Sequence, residues 1–291
     1  MSPLPEDLRA LLKSFGASAD PAVNKASKAA FVPLIEAGAD VRESLDVAYG
    51  DHPRQSLDIY HPLAPGACPI VLYVPGGGFT GGDKRQDQHF FGNVGRFFAR
   101  NGVACVTMNY RLAPEFTWPS AGEDIKAVVQ WIKANAGLVG GDGDEITVFG
   151  HSAGAAHVAS YIFDPDLRGA DDVAATVLGS GLFVLRPSEM RPNVIQYFGN
   201  DEATFGRRSA LSHVAGTKIP VLLSVAEYDP TPLAAPAFEL ACELTRRDGH
   251  PPPFLRLDDH NHFSYICGIG TKDERFSAPL LDFVKRCGRV R

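Results

Sequence analysis

From Ser56 onward, short unbroken apolar runs alternate with longer stretches in which apolar residues recur at helical spacing. Runs at residues 70–74, 103–109, 146–149, 173–178, 221–225 and 254–257 are rich in Val, Ile, Leu and Phe, which predicts strands covered on both faces. Between them, residues 89–100, 121–134, 153–163, 234–247 and 278–285 carry the helical period. Strands alternating with helices imply right-handed crossovers and a largely parallel sheet, the α/β class. Two further strands, 44–49 and 56–60, flank the turn-rich Gly50-Asp51-His52-Pro53 and are expected to pair antiparallel.

The first forty residues differ. Leucines at positions 8, 11 and 12 give residues 5–15 a helical period, and 26–35 form a second, weaker helical stretch. Residues 181–214 also break the rhythm, placing Phe183, Met190, Ile195, Tyr197 and Phe198 among charges between two strands. Because the strand–helix relay is otherwise unbroken, the 291 residues read as one catalytic domain over 43–291, preceded by a distinct segment, 1–42.

Charge narrows the classes of partner. Lys and Arg number 28 against 34 Asp and Glu, a net charge of −6 with no basic stripe, which argues against nucleic acids and anionic membranes. The N-terminus shows no basic-then-apolar leader, and no apolar run reaches the ~18 residues of a spanning helix. Five scattered cysteines, Cys68, Cys105, Cys242, Cys267 and Cys287, read as reduced thiols, so a cytoplasmic location is expected. A homodimer is one arrangement this composition allows.

The candidate chemistry centres on Gly150-His151-Ser152-Ala153-Gly154, which lies between a predicted strand and a predicted helix of small residues. A serine between two glycines at such a hinge is a nucleophile elbow. The turn is so tight that the flanking positions must be nearly free of side chain. In this geometry Ser152 Oγ stands clear of the sheet and the Ala153 amide faces a developing oxyanion. His151, by the same geometry, turns away and reads as structural. Upstream, strand 70–74 runs into Pro75-Gly76-Gly77-Gly78-Phe79, where successive glycines let the Gly77 and Gly78 amides join Ala153 as oxyanion donors. Phe79 would line the substrate pocket, with Trp118 and Phe198.

A carboxylate is needed to orient a catalytic imidazole, and Asp229 follows the strand at 221–225. Glu227 is its rival; Pro230 favours Asp229 by fixing the turn that presents it. The base comes from Asp259-His260-Asn261-His262, in a predicted loop after the last strand, and either histidine fits. The order Ser, Asp, His is that of one hydrolase fold. His260 and His262 could instead pair on a metal with Asp258 or Asp259, but no second ligand cluster accompanies them. Residues 137–144 alternate Asp and Gly without the closing Glu of a calcium loop. Arg111 and Asp124 are a candidate buried ion pair behind the site. No metal and no organic cofactor is called for.

These motifs together resemble the hormone-sensitive-lipase-like esterases and small bacterial carboxylesterases of the α/β-hydrolase fold. The matching residues are Pro75–Phe79, Asn109-Tyr110-Arg111-Leu112-Ala113-Pro114-Glu115, the elbow, Asp229-Pro230 and His262-Phe263. The resemblance implies a mostly parallel sheet with helices on both faces and a small helical cap built from residues 1–42 and about 181–214. It also implies that His262, followed by Phe263, is the base. The chain departs from the family pattern at Pro75, where a His is usual, and at His151, where an Asp is typical. Pro75 has no amide to donate, so other contacts must hold the glycine loop. The implied reaction is hydrolysis of short to medium acyl esters through Ser152, His262 and Asp229, with a small-molecule ester as the partner. Residues 47–60 are also similar to kynurenine-formamidase-like enzymes, which makes an amidase with the same triad the alternative. A binding protein on an inactive hydrolase scaffold is the third reading, against which all three residues are present.

Overall fold

The structure, a computed structural model, describes residues 4–35, 40–64, 66–169 and 173–288. Of the 1–42 segment, residues 1–3 and 36–39 lie outside the described residues. Eight strands form one sheet: β1 (Glu43–Ala48), β2 (Ser56–Tyr60), β3 (Ile70–Val74), β4 (Ala104–Met108), β5 (Ile146–His151), β6 (Ala175–Gly179), β7 (Val221–Tyr228) and β8 (Phe254–Asn261). Their order across the sheet is β1-β2-β4-β3-β5-β6-β7-β8. β1 and β2 run antiparallel to each other, as the turn between them requires, and β2 is antiparallel to β4. The remaining pairs are parallel. This is the α/β-hydrolase architecture, with the fold class as expected.

Both faces of the sheet are covered, and the period-2 alternation of each strand divides the core accordingly. On β3, Ile70, Leu72 and Val74 enter one apolar cluster while Val71 and Tyr73 enter the other. The first cluster is completed by α4 (Ser120–Ala134), α5 (Ala136–Val139), α6 (Ala153–Phe163), α7 (Pro192–Phe198), α8 (Phe205–Arg208) and α9 (Thr231–Asp248). The second is completed by α1 (Glu6–Phe15), α2 (Pro21–Phe31), α3 (Gly92–Arg100), α10 (Ser264–Cys267) and α11 (Glu274–Cys287).

Strand β3 lies directly beside β5, with Val74 opposite Gly150. The glycine run after β3 and the elbow after β5 therefore leave the sheet at the same level. Strands β7 and β8 are longer than the apolar pattern indicated. They continue to Tyr228 and Asn261 through a register shift between Ala226 and Tyr228, and Asp259 adopts a positive φ of 65°. The polar Asp258-Asp259 pair at that irregularity hid the end of β8, so His260 sits in a strand and not in the expected loop.

The N-terminal helices pack α1 against β8 and α2 against α10. Leu8, Leu12 and Phe31 anchor them in the second cluster. Helix α2 begins at Pro21, earlier than the apolar pattern suggested, because proline at the first helical position needs no amide partner. No helix among the described residues is long and apolar enough to cross a membrane.

Candidate active site

The hinge between β5 and α6 puts Ser152 at φ 57° and ψ −124°. A side chain is strained there, and the neighbouring glycines are required by contact. A Cβ on Gly154 would lie 2.1 Å from the Val74 carbonyl oxygen, and one on Gly150 would lie 2.6 Å from the Gly154 carbonyl oxygen. Among the described residues, five that are not glycine have positive φ; two are Asp46 and Asp259, a type that tolerates it. The other three, Phe79, Ser152 and Ser180, all border this site.

Ser152 Oγ lies 2.8 Å from His262 Nε2, and His262 Nδ1 lies 2.7 Å from Asp229 Oδ1. Because a carboxylate can only accept, Nδ1 carries the proton and Nε2 is free to accept from the serine hydroxyl. The second oxygen of Asp229 accepts from Ser180 Oγ at 2.6 Å and from the Ala226 amide at 2.7 Å. Ser180 Oγ is also 2.9 Å from the Tyr265 hydroxyl. The carboxylate is thus held at both oxygens, and the imidazole it faces is buried.

His151 is not a bystander. Its Nε2 donates to the His262 carbonyl oxygen at 2.9 Å, and its ring lies 4.9 Å from the His262 ring. Burial and the facing imidazole hold its pKa well below the ordinary histidine range, so it stays neutral.

The glycine loop is braced without the usual histidine. Tyr110 donates its hydroxyl to the Pro75 carbonyl at 2.9 Å, and Asn193 Nδ2 donates to the Gly78 carbonyl at 2.9 Å. The Gly81 amide closes on the Gly77 carbonyl, and Arg54 reaches the Gly82 carbonyl at 2.9 Å. Gly77 has no room for a side chain, since a Cβ would lie 1.9 Å from the Gly81 carbonyl oxygen. Tyr110 belongs to the Asn109–Glu115 motif, which gives no sign of this role. Asn193, from the 181–214 insertion, carried no sequence signal at all.

A cavity of about 540 Å³ opens over Ser152, lined by Gly76, Gly77, Gly78, Phe79, His151, Ala153 and His262 among others. Ala19, Pro21 and Asn24 from the N-terminal segment, and Leu182, Glu189, Arg191, Asn193 and Val194 from the insertion, complete its wall. Trp118 and Phe198, expected in that wall, are not part of it. Phe198 packs edge-on against Phe79 with ring centroids 5.3 Å apart, inside the core. Trp118 donates its amide to the Tyr197 carbonyl, and its ring lies beneath the guanidinium groups of Arg207 and Arg208. Both aromatics therefore support the wall from behind.

The rival residues have other partners. Glu227 accepts from the Asp259 amide at 2.7 Å and pairs with Arg256. His260 is bound between Ser264 Oγ and Asp273, 2.9 Å from each. Arg111 and Asp124 do form the ion pair, at 2.9 Å. Among the described residues, no group of three or more His, Cys, Asp or Glu side chains is arranged to hold a metal ion.

Residues 57–162 match the BD-FAE family. Over 119 residues, 40% of this chain and 27% of the relative, the sequence is 37% identical to the probable carboxylic ester hydrolase LipM of Mycobacterium tuberculosis. It is 28% identical to esterase LipQ of the same organism over 243 residues, 76% of this chain and 57% of that one. The chain thus spans between about a quarter and somewhat over half the length of these curated relatives. Esterase B of Lactobacillus rhamnosis superposes with a TM-score of 0.75 at 19% identity, covering 98% of this chain and 96% of its own. An esterase of Pyrobaculum calidifontis superposes with a TM-score of 0.65 at 25% identity, covering 98% and 99%. The chain has the α/β-hydrolase fold, and over part of its length its sequence is similar to carboxylic ester hydrolases.

Proposed function

We propose that this chain is a serine carboxylester hydrolase acting on small to medium acyl esters. The observation that carries the proposal is the unbroken hydrogen-bonded line from Ser152 through His262 to Asp229, beside a glycine loop and within a cavity of about 540 Å³. In this reading Ser152 Oγ attacks the acyl carbon while His262 Nε2 takes its proton. Asp229 stabilises the imidazolium that results. The amides of Gly77, Gly78 and Ala153 receive the oxyanion, each donor contributing roughly 10²–10³ in rate. His262 returns the proton to the departing alcohol, and water then releases the acid from the acyl-enzyme by the same steps.

The lining contributed by residues 19–24 and 182–194 supports reading both segments as the cap over this cavity. Esterase names among the relatives support the reaction class. The test is hydrolysis of p-nitrophenyl acetate with labelling by an organophosphate. Stoichiometric label on Ser152, lost together with turnover in Ser152→Ala, is the expected result. Label on another serine overturns the assignment. A rate on N-formylkynurenine above that on the ester would move the activity to the amidase reading.

A further inference from the structure

The catalytic histidine sits in a tight turn whose neighbour, Asn261, is tied to the N-terminal segment. Asn261 is fully buried, and each end of its side-chain amide is used. Its Oδ1 accepts from the amides of Phe263 at 3.1 Å and Ser264 at 3.0 Å, which closes a turn with His262 inside it. Its Nδ2 donates to Ser27 Oγ at 2.9 Å, and Ser27 is itself fully buried in α2. Ser27 is 234 residues away in sequence, so this bond fastens the 261–264 turn to a separate part of the chain. On α2, Asn24 lies one turn before Ser27, on the same side of the helix, and lines the cavity.

We infer that Ser27 is a positioning residue for His262, acting through Asn261. The inference rests on reading His262 as the base. With Ser27 in place, the Asn261 amide cannot rotate without leaving a buried donor unpaired, so the turn has one geometry. On the opposite side, His151 pins the His262 carbonyl. Those two bonds fix the backbone of His262 from two directions, and its imidazole meets Ser152 without a search. Without Ser27 the turn would sample other orientations, and only a fraction of molecules would hold Nε2 at the serine hydroxyl. That loss falls on the chemical step and not on substrate binding.

The test is Ser27→Ala assayed on p-nitrophenyl butyrate well below the melting temperature. The expected result is a kcat lower by about five- to fiftyfold, a KM within about twofold, and a parallel drop in the rate of Ser152 phosphonylation. In an Asn261→Ala background the same substitution should cost nothing further in kcat, because the intermediary is gone. Val139→Ala, in α5 beside β4 and five strands across the sheet from β8, should lower the melting temperature while keeping kcat. If Ser27→Ala is insoluble, Ser27→Cys keeps the volume, weakens the acceptor and is read the same way. A kcat within twofold of the parent, an undiminished effect in the Asn261→Ala background, or an equal loss in Val139→Ala overturns the inference. Retention of activity by His262→Ala would instead overturn the reading beneath it.

Discussion

His151 Nε2 donates to the main-chain carbonyl of His262, so the residue before Ser152 restrains the proposed base from behind. With a carbonyl as partner, the imidazole must carry its proton on Nε2, and its Nδ1 is buried without a partner among the described residues. In the proposed reaction a charged His151 would face the imidazolium formed on His262. Neutrality is therefore part of its use. His151→Phe should reduce kcat on p-nitrophenyl acetate by about tenfold while changing KM little, since the lost bond orients the base and not the ester. Steady-state kinetics of the purified variant checks this.

The two histidines of the Asp259–His262 run should separate cleanly. His262→Ala should lower kcat by at least about a thousandfold with the fold retained. His260 bridges Ser264 and Asp273 and is turned away from Ser152. His260→Ala should cost less than about tenfold in kcat but several degrees in melting temperature, through the unpaired partners it leaves. Kinetics and a thermal scan of both variants measure the contrast, and a larger kinetic loss from His260→Ala would reverse the assignment.

Loop bracing gives a third expectation. Asn193 Nδ2 donates to the Gly78 carbonyl from the insertion, and Tyr110 donates to the Pro75 carbonyl from behind the loop. Asn193→Ala and Tyr110→Phe should each lower kcat by about three- to tenfold, because donors aimed at an oxyanion lose most when they lose orientation. Their combined effect, measured as a double-mutant cycle, should be less than additive if both act on one loop geometry.

Stability should fall on the acid side of neutrality. Burial alone holds His157 down to about 3, and between Phe79, Tyr110 and Tyr197 both its ring nitrogens lack partners among the described residues. Burial also lowers His151 and His260. A histidine whose pKa is lower in the folded than in the unfolded chain gains its proton on unfolding, so its contribution is complete above about 6.5 and is lost as pH falls towards the folded value. Each such group can steepen the dependence by up to about 1.4 kcal/mol per pH unit. The melting temperature should be nearly level above pH 7 and decline from about 6.5 to 5. In His157→Leu that decline should be shallower, which a set of thermal scans across the range would show.

The cavity volume sets a ceiling on the ligand. With about 540 Å³ over Ser152, kcat/KM on p-nitrophenyl esters should peak between about two and eight acyl carbons. No rise should occur as the substrate passes its solubility limit. Rates on emulsified triolein exceeding those on p-nitrophenyl butyrate would contradict this.

The elements legible in the sequence were those set by local constraint. Gly150 and Gly154 could be read because a tight hinge excludes side chains wherever it occurs, and the strand and helix around it had unmistakable periods. The runs of β3, β5 and β6 were equally clear, since a strand covered on both faces carries no charge, and its interruptions here are only Thr147 and Thr176. The ends of β7 and β8 were obscured because Glu227, Asp258 and Asp259 are polar residues at an irregular edge. Contacts between distant segments left no trace: Ser27 with Asn261, Asn193 with Gly78 and Tyr110 with Pro75 join residues whose types are ordinary for a helix, a loop and a core. Trp118 and Phe198 show the converse. An aromatic near a motif is as readily a support for a wall as its surface.

The close approach of Gly154 to the Val74 carbonyl, and of Gly76 to Ser152, has a consequence for how this scaffold can change. A Cβ on Gly76 would lie 2.8 Å from the Ser152 Cβ, so the strand ends of β3 and β5 interlock as one rigid joint. In the proposed reaction, groups carried on that joint keep their spacing when the rim changes. Residues 19–24 and 182–194, apart from the loop brace Asn193, can then be exchanged to admit a different acyl or alcohol group. New selectivity should arise by substitution in those two segments, while libraries directed at 74–78 and 150–154 should return almost entirely inactive protein.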